Sequence, residues 1–544
     1  MLTKKLTYYL LSCMLAFYAS LTTSFAQDSL LLRDYRFVRQ ADPWLTQRNT
    51  AALTRFASNN IVTAEAVLNY SKGELVDFYD SPDVLQGNVA IESLYRLNQR
   101  TVLYGGISYD NWSGRDMTGS AFMHISSLAD HYPFDIVEDS LTNAGKKHRD
   151  TYRLTGGFGI DIYRGISVGA RLDYTAANYA KYKDLRHKNK LMDLQLTAGV
   201  YAPVTRWLSF GADYTYHRNT ETLQFSTNGK SEKVYKSLVD YGTMMGLVEQ
   251  VGNEGYTDKS QEMPLFEDSH GGSFQLGLQP LTALTAYASI GFSHRTGYYG
   301  RKSPYTITYT RHSRDILELC AALVYQCTSS RHRLDASYTT EKLNNKAETW
   351  RDMTNESQAT YYEYYDPVDT GDKKWKEMLL TYTADLGIRG ELPTWTFEAC
   401  YRWMQRRQVA YLFPFYRYQQ LSSNGIDVCG THNLLTHHGV WSFSVNASYL
   451  KGSGAPYIDG TFVTPSNKQQ ESATMEAFLY REYRYLTASQ YKIGGSVKYT
   501  FHFPGTRLAT YARLSMQHHH ATEGNEYTCG NNRNQTAIAI GCTF

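Results

Sequence analysis

The chain has 544 residues, with 55 Lys and Arg against 52 Asp and Glu, for a formal net charge of +3. So even a balance selects no partner class, and no nucleic-acid partner is expected. Beyond the first two dozen residues no run of about 18 apolar residues exists, which excludes helical membrane spans. A mean hydropathy of −0.46 would suit a soluble protein, but it also suits a transmembrane barrel, whose strands alternate apolar and polar residues so that the average hides both. The 46 Tyr and 40 Gly fit the barrel, as interfacial girdles and crowded or bulged strand positions respectively.

Residues 1–26 read as a signal peptide. Lys4 and Lys5 precede an apolar run from Leu6 to about Leu21, and Ser24-Phe25-Ala26 offers small residues before Gln27. A lipoprotein box at Cys13 competes with this, but the apolar stretch continues through Phe17. Residues 27–60 do not alternate. Asp42-Pro43-Trp44-Leu45 and then Thr46 to Phe56 read as turn and short helix, carrying Arg33, Arg36, Arg39, Arg48 and Arg55. This segment is expected to be either a plug inside a barrel or a periplasmic tail.

Residues 61–544 carry the barrel pattern. Ile166, Val168, Ala170, Leu172 and Tyr174 share one face, expected to meet lipid, and Arg171 and Asp173 share the other. By the same parity Asp161, Asp173, Asp213, Asp335, Asp385 and Glu398 face the lumen, with Asp193 and Glu318 beside them and only Arg153, Arg171, Arg402 and Arg513 in opposition. Such an acidic lumen would attract an arginine-bearing plug. Short connections such as Arg164-Gly165 and Pro203-Val204-Thr205 alternate with long ones near 113–150, 218–271, 345–375 and 411–436, the asymmetry of periplasmic turns against extracellular loops. The expected fold is all-β: a transmembrane antiparallel β-barrel of about 14 to 18 strands, centred on 18. One strand needed to make the count even is expected between Gly452 and Gln490.

Loop chemistry offers few sites. Tyr361, Tyr362, Tyr364 and Tyr365, together with Tyr416, could form an aromatic platform for a glycan. Girdle or loop packing is the simpler use of tyrosine. Cys429 and Cys529 both precede Gly in turn-like contexts assigned to the cell exterior, where a disulfide could join them. In His518-His519-His520, neighbours on a strand point oppositely, so at most His518 and His520 converge. No metal site, cofactor or enzymatic activity is expected. Gly156-Gly157-Phe158-Gly159 lies within a strand and reads as crowded lumen positions rather than a nucleotide loop.

The last strand, with Thr536, Ile538, Ile540 and Cys542 on one face and a final Phe544, resembles the sorting signal of bacterial outer-membrane barrels. That resemblance implies the outer membrane as location, its lipids as surroundings, and the barrel-assembly machinery as the reader of Phe544. Asn49-Thr50-Ala51-Ala52-Leu53 resembles the Asn-Pro-Ala-Gly-Leu-like plug box of the fatty-acid-transporter type of barrel, with Thr50 in place of Pro. The Tyr-rich strands and long polar loops look like uncharacterised outer-membrane barrel families of Bacteroides-type bacteria. A large plug domain ahead of a 22-stranded barrel, as in TonB-dependent receptors, does not fit some thirty residues. Two functions stay open. One is a passive or substrate-gated channel for a small polar or amphipathic solute. The other is a surface or accessory barrel whose loops bind a glycan or another outer-membrane protein.

Overall fold

The computed structural model describes residues 33–124, 131–138, 143–228, 233–252, 255–259, 261–436, 439–469, 475–503, 506, 508–523 and 530–544. The signal-peptide segment 1–26, His437 and His438, and Cys529 lie outside them. From the N-terminus come a short helix α1 (Tyr35–Arg39), then β1 (Ile61–Lys72), β2 (Asp83–Arg96), β3 (Thr101–Met117) and β4 (Asp135–Glu138). Next are β5 (Gly145–Tyr163), β6 (Ile166–Lys181), β7 (Arg186–Pro203), β8 (Leu208–Ser226), β9 (Lys236–Gly242) and β10 (Met245–Gln250). They are followed by β11 (Met263–Leu281), β12 (Leu284–Ser303), β13 (Thr306–Gln326), β14 (Ser330–Ala347), β15 (Trp350–Thr354), β16 (Thr360–Tyr364) and β17 (Val368–Leu386). The chain ends with β18 (Trp395–Leu412), β19 (Phe415–Thr436), β20 (Gly439–Gly454), β21 (Ile458–Thr461), helix α2 (Glu476–Thr487), β22 (Gln490–His502), β23 (Ala509–Ala521) and β24 (Asn532–Thr543).

Eighteen of these strands form one closed antiparallel barrel, with β1 pairing both β2 and β24. At the seam Thr63 stands opposite Thr543, and Phe544 exchanges backbone hydrogen bonds with Val62 at 2.8 and 3.0 Å. Strands β4, β9 and β10 form a separate three-stranded sheet, β15 and β16 a hairpin, and β21 adds to the edge of β19.

The parity assigned from sequence holds. Leu68, Val89, Ile91, Ile107, Leu154, Leu196, Ile290, Leu319, Ile538 and Ile540 point outward and are exposed. Exposed Tyr95, Tyr163, Trp207, Tyr325, Trp395 and Trp441 ring the end carrying the short turns, and Tyr70, Tyr449 and Tyr491 ring the other. An apolar belt between aromatic girdles, on a closed barrel with no free edge, is the surface of an outer-membrane protein.

Two barrel strands differ from the sequence reading. The stretch 411–436, expected to be a loop, is mostly β19, and 263–281 is β11. Both climb well past the roughly ten residues that cross a membrane. Above the bilayer their outward positions, such as Gln420, Ser422 and Asn424 on β19, become polar, so the alternation that marks a strand disappears. The strand sought between Gly452 and Gln490 is instead a long extracellular connection holding β21 and α2.

Leu172 lies mid-strand on the lipid face, opposite Gly156 and Leu196. Replacing it with Arg should cost about 2–4 kcal/mol near the bilayer midplane. Asp173→Asn, on the lumen side, should cost about 1 kcal/mol or less, because its pair with Arg171 is partly hydrated. Reversible urea unfolding in lipid vesicles compares them, and equal costs would overturn the in/out assignment.

Candidate functional site

The barrel interior is occupied from both ends. At the end of the short turns, residues 33–60 run across the lumen as three short helical pieces, each begun by a capping side chain. Asp34 accepts from Phe37 N at 2.9 Å to start α1, Asp42 accepts from Trp44 N at 3.0 Å to start the 3-10 turn Pro43–Thr46, and Asn49 accepts from Ala51 N at 3.1 Å to start the 3-10 helix Thr50–Arg55. These caps satisfy backbone donors that the short pieces cannot pair themselves.

Two side chains fix the segment to the wall. Trp44 is fully buried, with Tyr201 and Tyr287 edge-on at 5.0 Å each. The Asn49 amide donates to Val200 O at 2.9 Å, Gln275 Oε1 at 2.8 Å and Ala212 O at 3.3 Å. The wall beneath is cleared of side chains. A Cβ at Gly157 would stand 2.9 Å from Thr50 Cγ2, one at Gly277 would stand 2.6 Å from Trp44 Nε1, and one at Gly159 would overlap the Thr50 carbonyl oxygen. The inward glycines of the Gly156–Gly159 run thus serve close approach, while Gly156 itself faces open space.

The five arginines divide in role. Arg33 pairs with Glu391 at 2.5 Å and donates to Asn60 O at 2.6 Å. Arg36 pairs with Glu398, Arg39 with Glu92 at 3.4 Å, and Arg48 with Glu318 at 3.4 Å. Arg55 instead braces the segment, bonding Asp42 at 2.6 Å and the Tyr201 hydroxyl at 2.9 Å. Of the six lumen acids singled out in the sequence, only Glu398 meets an arginine of the segment. Asp161 accepts from Gly165 N at 3.1 Å and shapes a turn. Asp173 pairs with Arg171 at 2.6 Å, Asp335 with Arg333 at 2.6 Å, and Asp385 with Arg331 at 2.7 Å, while Asp213 accepts from Ser273 at 2.5 Å.

The expected acid surplus inside the barrel is therefore corrected. Arg295, Arg314, Arg331, Arg333, Lys373 and Arg406 also line the interior, on parts of β12, β13, β14, β17 and β18 that lie beyond the short strand cores legible in the sequence. Arg331 and Arg333 then donate to the segment's Phe37 O at 2.9 Å and Gln40 O at 2.7 Å. The wall holds the segment with bases as well as acids.

At the opposite end the β4–β9–β10 sheet forms a cap. Its core joins Phe122, Phe134, Ile136, Val239 and Tyr241 to Phe225, Leu265 and Tyr299 of the barrel strands. Across the lumen, His131 stacks on Trp375 at 3.9 Å, Lys373 donates to Tyr132 O at 3.3 Å, and Arg417 donates to Thr243 O at 3.3 Å. Phe478 and Leu479 of α2 pack on Phe78, Val137, Leu238 and Met244. No sequence signal announced this cap, because its strands are short and β4 and most of β9 are buried on both faces.

Other expected sites are dispersed. Tyr361, Tyr362 and Tyr364 lie on β16 with Tyr365 just after it, and the Tyr364 hydroxyl is engaged by Thr308 N at 2.8 Å. Tyr416 sits on β19 against Phe462 at 5.0 Å, so its described ring contact is to a different hairpin. Cys429 is not in an extracellular loop. It stands on β19 opposite Glu398 and Asn446, seven residues from the strand's periplasmic end, and its thiol has no disulfide partner among the described residues. His518 and His520 face outward, bonding Asn534 and Asn532 at 2.7 Å, while His519 is buried against Gln490 at 2.8 Å.

Two buried carboxyls make the cap pH-sensitive. Burial, reinforced by Glu482, pushes Asp77 up to about 7 against the Phe78 N–H, Arg406 and Arg481. Burial pushes Asp240 up to about 6 against Lys373 and the Gly242 N–H, with Asp135 and Glu482 adding to the rise. The folded cap thus holds protons that the unfolded one releases above about 4, so its stability falls as pH rises through this window toward 7. After correction for intrinsic rates, amide exchange in 73–82 and 475–487 should be slower at pH 5 than at pH 8, and Asp77→Asn should remove much of the difference. Equal protection in the wild type at both pH values would reject this.

Among solved structures, the chain is similar to the outer-membrane transporter YddB of Escherichia coli, at 6% identity over 90% of this chain and 81% of that chain, with a TM-score of 0.40. It is similar to the ferric preacinetobactin receptor BauA of Acinetobacter baumannii, at 8% identity over 89% and 80%, with a TM-score of 0.37. The toluene transporter TbuX of Ralstonia pickettii follows at 11% identity over 91% of each chain and a TM-score of 0.31. Scores this low bear on neither substrate nor mechanism. No curated protein matches the sequence. A family model described as a family of unknown function, DUF6850, matches residues 50–544, and the chain belongs to that family.

Proposed function

We propose that the protein is an outer-membrane channel for a small polar or amphipathic solute, with residues 33–60 as a displaceable plug. The observation that supports this reading is how the segment is held. Arg36, Arg39 and Arg48 make hydrated ion pairs to the wall, with side-chain exposures of 60, 28 and 55%. Contacts of that kind contribute about 0–1 kcal/mol each. The tighter anchors are Trp44 and Asn49 on a glycine-cleared patch of one wall, Arg33 on Glu391, and Val38, Leu45, Leu53 and Phe56 against Leu94 and Val102, all of them side-chain contacts rather than strands woven into the sheet. A segment held in this way can leave without unfolding the barrel.

Deleting residues 33–57 should enlarge single-channel conductance in planar bilayers. It should also shift selectivity toward cations, because Glu92, Glu318, Glu391 and Glu398 lose their partners. Gly159→Leu, whose side chain would displace Thr50 and Ala51, should do the same and expose the segment to protease. Unchanged conductance in both would return the segment to a structural role.

The alternative is a non-transporting surface barrel, favoured by exposed Tyr182, Tyr305, Tyr365, Phe413 and Phe462 on the extracellular connections. A barrel that stays closed after plug deletion, with tight binding of a glycan or outer-membrane protein to those loops, would select it.

The reading extends to biogenesis. The chain is a Gram-negative, Bacteroides-type precursor whose residues 1–26 are removed and whose Phe544 is read by the barrel-assembly machinery. Phe544 closes the seam on Val62 while its ring is exposed at the girdle. Phe544→Asp should lower the folded, heat-modifiable fraction in the outer membrane, and wild-type levels would refute the signal.

A further inference from the structure

We propose that the protein binds an anionic saccharide of the hexuronate type in a lumenal cavity at its extracellular end, remote from the plug. The cavity measures about 290 Å³ and lies where β24 closes on β1. Inward-facing residues of β1, β2, β3, β22, β23 and β24 form its wall, while α2 and the 73–82 connection form its roof. It owes nothing to residues 33–60, so it stands whether or not they act as a gate.

Gln86, His519, Arg533 and Asp80 in its lining are engaged by the protein, and other polar groups are not. Lys492, Gln517 and Gln535 point into the cavity and have no hydrogen-bond or ion-pair partner among the described residues. The side-chain carbonyl of Asn69 is shielded from solvent and accepts no hydrogen bond. Elsewhere in the lumen many charges are paired, as Arg171 is with Asp173 and Arg331 with Asp385. Arg533 is neutralised by Asp80 at 3.0 Å, and Asp427, a carboxylate near Lys492, is taken by Arg402 at 2.7 Å. Of the Lys and Arg that line the cavity, Lys492 is left over among the described residues.

The chemistry of the wall defines the ligand. A single uncompensated ammonium calls for one carboxylate. Three amides offer both donors and acceptors, the pattern that matches adjacent hydroxyls. Trp112 and Tyr485 supply ring surface for the apolar face of a pyranose. A simple anion would leave the amides unused, and a neutral hexose would cover half-buried Lys492 without giving it a counter-charge.

Calorimetric titration of the full folded protein in detergent, with D-galacturonate, D-galactose and acetate as probes, tests this. Saturable galacturonate binding is expected, with galactose and acetate each weaker by about tenfold or more, roughly 1.4 kcal/mol. Lys492→Gln should lose that preference and Lys492→Arg should keep it, with heat-modifiable migration confirming that each is folded. If Lys492→Gln does not fold, Gln517→Leu should weaken galacturonate in the same direction. Absence of galacturonate binding up to tens of millimolar, unchanged binding by the folded variant, or acetate binding as well as galacturonate would each overturn the proposal. Conductance enters none of these readings, so failure here and failure of the gate are separate results.

Discussion

Closure of β24 on β1 is the constraint on which the remaining structure depends. In hydrocarbon a backbone N–H or C=O has no water to turn to, so every strand must have a neighbour on each side and the sheet must return to its start. Ten paired positions from Thr63 to Lys72 achieve this, and Phe544 extends the ladder by one more residue. Once the ring is closed, parity is decided for every strand at once. A residue is either in lipid or in the lumen, and a slip of one position would send Asp385 and Arg331 into hydrocarbon.

An 18-strand ring leaves an interior too wide for wall side chains alone to fill, so the chain supplies more of itself. The two fillings differ in kind. The extracellular cap joins barrel strands through a continuous aromatic and aliphatic core and through buried charges, with Glu138 of β4 meeting Lys181 of β6 and, at 3.9 Å, Lys147 of β5. Losing one member of such a network strands a charge in a poorly hydrated place, which makes the cap costly to undo. The N-terminal segment is seated by Trp44, Asn49 and a smaller apolar cluster of Val38, Leu45, Leu53 and Phe56 against Leu94 and Val102, and several of its remaining ties are hydrated ion pairs. If one end of the lumen opens, physical reasoning favours the periplasmic one.

Legibility in the sequence followed the same division. The membrane crossings were readable because lipid enforces period-2 alternation, as in Ile166 to Tyr174, and helices were not expected from any apolar run. Where strands leave the bilayer the enforcement stops. The upper halves of β11 and β19 therefore read as loop, and the bases of β12, β13 and β14 went uncounted, which made the lumen look acidic. Asn49 stood out in the sequence, yet its work depends on Gln275 and on glycines from four other strands. No local pattern carries that information. Cys429 was misplaced for the same reason as β19, since a Gly beside a Cys looks like a turn until its neighbours show it to be paired.

The lumen's electrostatics give the last step. Its wall is nearly balanced pair by pair, Arg171 with Asp173, Arg333 with Asp335, Arg331 with Asp385, so most of its charge is satisfied without any ligand. Groups that depart from this economy then carry information. At the periplasmic end the departures are Glu92, Glu318 and Glu398, and residues 33–60 answer them with arginine. At the extracellular end the departures include Lys492 beside amides without partners and Arg149, which meets only the Trp112 ring among its described contacts. The same rule that explains why the first set is covered from within implies that the second is completed from without, because a half-buried ammonium without a counter-charge is stable only with a partner or water beside it.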